Sequence, residues 1–209
     1  MRDGDPQTVA APIFVVGSIA LGLQLLGVGV DNLASPGTPV PIIIFATGIM
    51  LTLCTVWAAA LGQSFVACFC GTFGGFWLSY GFFVFGLQQG WWFAADGTGI
   101  IPLTELADSI VIFVFAWAIF FLFITIASFR LPIIYTGIFG LVVLALVLVG
   151  IAYLAEPVND GLLKVAGVVV LAFAALGLSL SLTVMNLSLG GPLSPPLGKP
   201  IIKTPPAAS

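Results

Sequence analysis

The sequence predicts an all-α polytopic membrane protein, with six transmembrane helices packed as a bundle. Three observations carry that prediction. Of the 209 residues, 60% are apolar and 6% are charged, where a soluble domain carries about 25% charged residues. The mean hydropathy is +1.24. The chain also divides into six apolar runs, each long enough to cross about 30 Å of hydrocarbon as a helix. Five basic and eight acidic side chains cannot cover the surface of a water-soluble protein of this size. A soluble enzyme, a secreted disulfide scaffold and a disordered chain are therefore excluded. A net charge of −3 gives a phosphate backbone nothing to hold, so no nucleic-acid partner is expected. The expected surroundings are a lipid bilayer.

The runs cover roughly 12–30, 40–60, 65–87, 109–128, 131–154 and 163–187. None alternates in the ten-residue units of a membrane β-barrel. The stretch from Asp31-Asn32 to Thr38-Pro39 separates the first two. Leu61-Gly62-Gln63-Ser64 reads as a tight turn before the third. The longest loop runs from Gln88-Gln89-Gly90 to Pro102-Leu103-Thr104, and Trp91-Trp92-Phe93 within it reads as an aromatic anchor at the membrane interface. Phe129-Arg130-Leu131-Pro132 divides the fourth and fifth runs, with Pro132 suited to open a helix. Glu156-Pro157-Val158-Asn159-Asp160-Gly161 divides the fifth and sixth. The segment Met1-Arg2-Asp3-Gly4-Asp5-Pro6 lacks the positive n-region of a signal peptide, so the first run is read as a retained span. From Gly190 to Ser209 six prolines in twenty residues forbid a helix, and an extended tail is expected. The organisation expected is an N-terminal segment at 1–11, a transmembrane domain at 12–187 and a Pro-rich tail at 188–209.

Charge placement orients the bundle. Six spans put both termini on one side, with Arg2, Arg130, Lys199 and Lys203; only Lys164 falls on the other. The positive-inside rule then places both termini in the cytoplasm. Asp31, Asp96, Glu105, Asp108, Glu156 and Asp160 fall on the outer side.

The residue inventory narrows the chemistry. With no histidine, a Ser-His-Asp triad, a Cys-His pair and an H-E-x-x-H metal site are all missing from the sequence. Cys54, Cys68 and Cys70 lie inside apolar runs and read as small packing residues. No catalytic residue, metal or cofactor is expected. No charged residue lies near the middle of a span, which argues against a proton pump or carrier built on carboxylates. A channel or facilitator lined by hydroxyls, amides and apolar constrictions remains open.

Small residues recur four apart: Ser18 and Gly22; Gly71, Gly75 and Ser79; Thr136 and Gly140; Gly177 and Ser181. Such stripes let helix backbones approach closely, for bundle packing, subunit contact or pore lining. Most Ser and Thr in such helices bond their own backbone one turn back. Gln24 is harder to satisfy, and it reads as a helix–helix bond or a pore-lining group. Phe69, Phe73 and Trp77 share one face of the third span, continued by Phe65. That face is either a packing or lipid face or the wall of a narrow path, with Thr72 a further lining candidate. The fourth span is apolar all round and reads as facing lipid or a second subunit, with Phe120 and Phe121 outside any pore.

Gly62-Gln63-Ser64-Phe65, followed by Thr72-Phe73-Gly74-Gly75-Phe76-Trp77-Leu78-Ser79, resembles the acetate uptake transporter family (GPR1/FUN34/YaaH, or succinate–acetate permease). Its members carry G-N-T-F and then S-Y-G-x-F-W-L-S at this spacing. The resemblance implies a six-span channel or transporter for a small monocarboxylate such as acetate, or succinate, assembled as a homo-oligomeric hexamer with one path per subunit. It also implies an apolar constriction built from a phenylalanine of the first span, the motif tyrosine and a leucine of the fifth. By position these become Ser18 or a neighbour, Phe73 and about Leu141. The family's N-P-A-P-L-G-L segment becomes Val9-Ala10-Ala11-Pro12-Ile13-Phe14-Val15, which keeps only the second proline.

Two further functions stay open on the sequence. The chain could be a non-transporting membrane subunit within a larger complex, favoured by the altered motif and the Pro-rich tail. It could also carry ammonium, to which some of the family have been linked.

Overall fold

The computed structural model of the protein describes residues 4–29, 39–89, 91 and 103–202, with the backbone alone at 88 and 103–106. Arg2, Asp31, Trp92, Phe93, Asp96 and Lys203 lie outside the described residues, as does the side chain of Glu105. Six helices among the described residues are long and apolar enough to cross a membrane. They are α1 (Gln7–Leu25), α2 (Ile42–Ala60), α3 (Ser64–Gln88), α4 (Leu103–Ala127), α5 (Ile133–Leu154) and α6 (Asp160–Ser188). The described residues contain no strand. The protein is an all-α, six-helix membrane protein.

Helix α1 begins at Gln7, five residues before the expected start at 12. The opening turn is set by Asp5, whose carboxylate accepts from the Gln7 amide at 3.0 Å and whose carbonyl accepts from the Thr8 hydroxyl at 2.7 Å. Pro12 therefore sits inside the helix rather than at its start. The helix stops at Leu25 instead of 30 because Gly27 and Gly29 adopt left-handed φ values of 78° and 76°. Helix α2 opens as a π-helix over Ile42–Ile49 and continues as α-helix over Met50–Ala60. Gly62 takes φ 71° in the tight turn that follows.

Helix α4 starts at Leu103, six residues before the expected 109, because Leu-Thr-Glu-Leu-Ala holds strong helix formers. A short 3-10 turn, Ser128–Arg130, ends it, and Pro132 directly precedes α5. Helix α6 starts at Asp160 rather than 163, with the Asn159 side chain accepting from the Leu162 amide at 3.0 Å.

Neighbouring helices run α2–α1–α6–α5–α4, with α3 packed on α2. Long aromatic side chains join α3 to α4, with Phe76 and Trp117 ring centroids 5.6 Å apart and Phe83 and Phe113 at 5.7 Å. Glycines set the tightest seams. A Cβ on Gly22 would fall 2.7 Å from Leu171 Cδ2, and one on Gly167 would fall 3.0 Å from the Gly22 carbonyl, so α1 and α6 touch almost backbone to backbone. Helix α4 leaves most of its surface outside the bundle, with Ile112, Phe123 and Ile119 all exposed. That suits lipid or a second subunit.

The tail does not trail away. Over 191–202 it stays non-helical, as its prolines require, yet it folds back along the bundle end. The Asn186 side-chain amide donates to the Ser194 carbonyl at 2.7 Å, the Ile134 amide to Leu197 at 3.2 Å, and the Ile202 amide to Phe129 at 2.9 Å.

Candidate functional site

The bundle interior holds a plug of aromatic rings. Phe14 of α1, Phe69 and Phe73 of α3, Phe121 of α4, Phe139 of α5 and Phe173 of α6 meet there, and all six are buried. Phe73 is central. Its ring centroid lies 4.5 Å from Phe14, 4.9 Å from Phe69, 5.0 Å from Phe121 and 5.7 Å from Phe139, the last in a stacked arrangement. Phe14 also stacks on Phe173 at 5.9 Å. These are the separations at which aromatic pairs attract beyond their simple burial.

At the end of the bundle that carries the chain's N-terminal segment, a polar pair packs next to the plug. The Gln7 side-chain amide donates to the Tyr135 hydroxyl at 3.2 Å. The Tyr135 ring sits edge-on to Phe65 at 5.3 Å and to Phe69 at 6.3 Å.

On the other side of the plug lies a cavity of about 50 Å³. Phe73 and Phe173 form part of its wall, and it extends along α3 past Phe76, Trp77 and Tyr80 to Leu87. Leu21 and Leu25 of α1, Ile110 and Val114 of α4, Val142 and Ala145 of α5 and Val170 of α6 also line it. Its volume exceeds the ~10–15 Å³ that one water needs. The Trp77 indole N–H and the Tyr80 hydroxyl are sealed from solvent, and neither has a hydrogen-bond partner in the protein.

The expected site residues divide. Phe69, Phe73 and Trp77 share one buried face of α3, which rules out the reading of that face as a lipid surface. Ser18 is fully buried, but its hydroxyl donates to the Phe14 carbonyl at 2.8 Å, within its own helix. The first-span ring comes instead from Phe14, one turn earlier. Leu141 is half-buried and lies outside the cavity lining; the α5 ring on Phe73 is Phe139, two residues before it. Thr72 lies beside Trp117 and Phe120 at the outer seam between α3 and α4, away from the cavity. Gln24 is buried with its side-chain carbonyl unpartnered, though its neighbours Leu21 and Leu25 line the cavity and it does not.

Phe121 corrects the reading of α4. It is fully buried in the plug, whereas Phe120 next to it is exposed. A helix apolar on every face gives no sequence signal for which ring turns inward. Phe14 and Phe139 escaped for a related reason: a shift of one turn, or of two residues, changes which side chain reaches a fixed partner. The Ser and Thr hydroxyls behave as expected. Thr52, Thr55, Thr125 and Ser181 each donate to the carbonyl four residues back. Among the described residues no group of three or more metal-ligating side chains occurs.

The comparisons with known proteins bear on the whole chain. The sequence profile of the GPR1/FUN34/yaaH family matches residues 4–186. Among solved structures, a bacterial acetate channel, SatP, is similar with a TM-score of 0.75 at 21% identity, over 93% of this chain and 99% of that one. At that identity the likeness establishes the fold. No curated protein sequence matches the chain significantly.

Proposed function

The chain belongs to the GPR1/FUN34/yaaH family, and from that premise we propose that it is a membrane channel or transporter passing a short monocarboxylate such as acetate through the middle of its own six-helix bundle. The observation that carries the reading is the series of features along the bundle axis. A hydrogen-bonded polar pair, Gln7 and Tyr135, lies on one side of the six-ring plug, and an apolar cavity lies on the other. An apolar constriction of this kind gates by drying, and it resists hydrated ions while a small solute slips through when the rings part. The similar solved structure is that of an acetate channel, which supports the same solute class here.

The same reading puts both termini in the cytoplasm, on the side of Arg130 and Lys199 and away from Lys164, and assembles the chain as a homo-oligomer through the exposed face of α4. Transport rather than catalysis is the proposed role.

The test is flux of acetate, succinate and ammonium through purified protein in liposomes. Saturable acetate flux is expected. Well-folded protein without acetate flux would instead favour a non-transporting subunit, and ammonium flux alone would favour the ammonium reading.

A further inference from the structure

The docked tail gives one end of the bundle a surface that is both basic and apolar. Gly190 takes φ 80° and reverses the chain after α6. The tail then runs back beside that helix until the Pro195 carbonyl accepts from the Thr183 hydroxyl. It crosses α5, where the Leu197 carbonyl accepts from the Ile134 amide, and the Ile202 amide donates to the Phe129 carbonyl. Those two bonds pair segment 197–202 with segment 129–134 and so bring Lys199 and Arg130 onto one lobe. Both side chains are exposed. Among the described residues no acid pairs with either; at this end Asp5 accepts from the Gln7 amide in the first turn of α1. The same lobe leaves Leu193, Ile201 and Ile202 53%, 54% and 46% exposed. Ile133, exposed at the start of α5 between Arg130 and the Leu197 contact, carries that apolar surface into the span.

We infer that this lobe is a docking surface for an anionic lipid, with Arg130 and Lys199 on the headgroup phosphate and Leu193, Ile201 and Ile202 against the upper acyl carbons. The depth fits. Helix α6 has 29 residues and is roughly 43 Å long, against about 30 Å of hydrocarbon. The surplus, divided between the two headgroup layers, sets the last turns of α6 and the tail beside them at the hydrocarbon boundary. The backbone fits as well. An irregular segment beside hydrocarbon must leave few donors unmet. Pro192, Pro195, Pro196 and Pro200 have no N–H to satisfy, and the Gly191 and Ile202 amides are bonded. A second copy of the lobe would set like charges against each other. A lipid with an uncompensated phosphate and two acyl chains complements both halves, whereas a zwitterionic headgroup brings its own cation to the phosphate. The lobe is separate from the aromatic plug, and its lipid does not depend on which solute the bundle passes.

The test counts lipid bound to the full-length protein by native mass spectrometry in mild detergent, with dioleoylphosphatidylglycerol or dioleoylphosphatidylcholine added. Wild-type protein is expected to retain the phosphatidylglycerol several-fold more strongly. Arg130→Gln and Lys199→Gln should each weaken that binding about fivefold, and together roughly 25-fold, the usual effect of a basic residue beside an anionic membrane surface. Melting temperatures should hold in all three. Truncation after Ser188 keeps Arg130 but removes Lys199 and the apolar tail, and it should bind no better than the double variant. Lys164→Gln, at the other end of the bundle, should bind as wild type does. Glycerophosphoglycerol, the same headgroup without chains, should not compete at equal concentration. Equal retention of the two lipids by wild-type protein would overturn the lobe. So would full phosphatidylglycerol binding in the double variant or the truncated protein, or a loss in Lys164→Gln as large as in Lys199→Gln. Effective competition by the free headgroup would overturn the lipid in favour of a soluble phosphodiester.

Discussion

Phe73 has four other phenylalanine rings around it, with centroids between 4.5 and 5.7 Å away. Removing that ring leaves a hole that the others cannot fill without moving. Phe73→Ala is therefore expected to cost ~3–5 kcal/mol of stability, seen as a lower melting temperature. It should also raise acetate flux several-fold and admit longer acids, because a wider gap wets more easily. Phe120→Ala, on the exposed side of α4, should leave selectivity unchanged. If the two variants behave alike in the flux assay, the plug is not the gate. A second pair separates neighbours on α1. Phe14→Ala should open the constriction as Phe73→Ala does. Ser18→Ala should change flux little, because its hydroxyl is already engaged with the Phe14 carbonyl and adds about 1 kcal/mol at most. Flux that responds to Ser18 and not to Phe14 would restore Ser18 to the constriction.

Among the elements, α6 holds the plug in place from behind. A Cβ on Gly177 would fall 2.7 Å from Val15 Cγ2 and 3.2 Å from Phe14 Cε1. Gly177→Val should push Phe14 off its stack with Phe173 and cost ~1–3 kcal/mol as overpacking. The flux assay should then show a leak with weaker discrimination between acids. Gly140→Ala is the matched contrast: the nearest atom to a new Cβ there is a Thr125 methyl at 3.9 Å, an ordinary contact. It should leave melting temperature and flux close to wild type. Spacing alone makes Gly140 and Gly177 look equivalent, and only the facing helix distinguishes them. The docked tail is a further element-scale device. Its Leu197 carbonyl receives the Ile134 amide near the start of α5, where a helix has no internal acceptor to offer. Truncation after Ser188 should lower the melting temperature by a few degrees.

For the whole molecule, the distribution of basic residues and the exposed face of α4 make separate predictions. Arg130 and Lys199 lie at one end of the bundle and Lys164 at the other. A reporter fused at Ser209 should be active only in the cytoplasm; activity on the far side would reverse the orientation. Helix α4 presents Ile112, Ile119, Phe123 and Ile126 outward. In lipid such a face gains little from burial as such, and association depends on close packing. Native mass spectrometry in mild detergent should show an oligomer, and charged substitutions at Ile119 and Phe123 should shift it towards monomer. Monomer alone in wild-type protein would remove the oligomeric reading.

The sequence by itself determined the solvent of this protein, its six spans and its fold class. Hydrocarbon tolerates no unsatisfied backbone, so long apolar runs with few charges leave little choice but helices. It also determined the family, through one motif around Phe73 and Trp77. Helix ends were less legible: Pro12 reads as a start yet lies inside α1, and the turn at Asp5 and the left-handed glycines mark where the helix begins and stops. Which residues meet inside was decided by tertiary structure alone. Phe14 rather than Ser18, Phe139 rather than Leu141, and Phe121 rather than Phe120 reach the centre. In a soluble protein a polar face would have marked the outside of each helix. Here lipid and core are equally apolar, so the inward face carries no distinct composition. Rotation follows from how facing helices pack, through close glycine contacts between α1 and α6 and through aromatic rings between α3 and α4, and that depends on two helices at once.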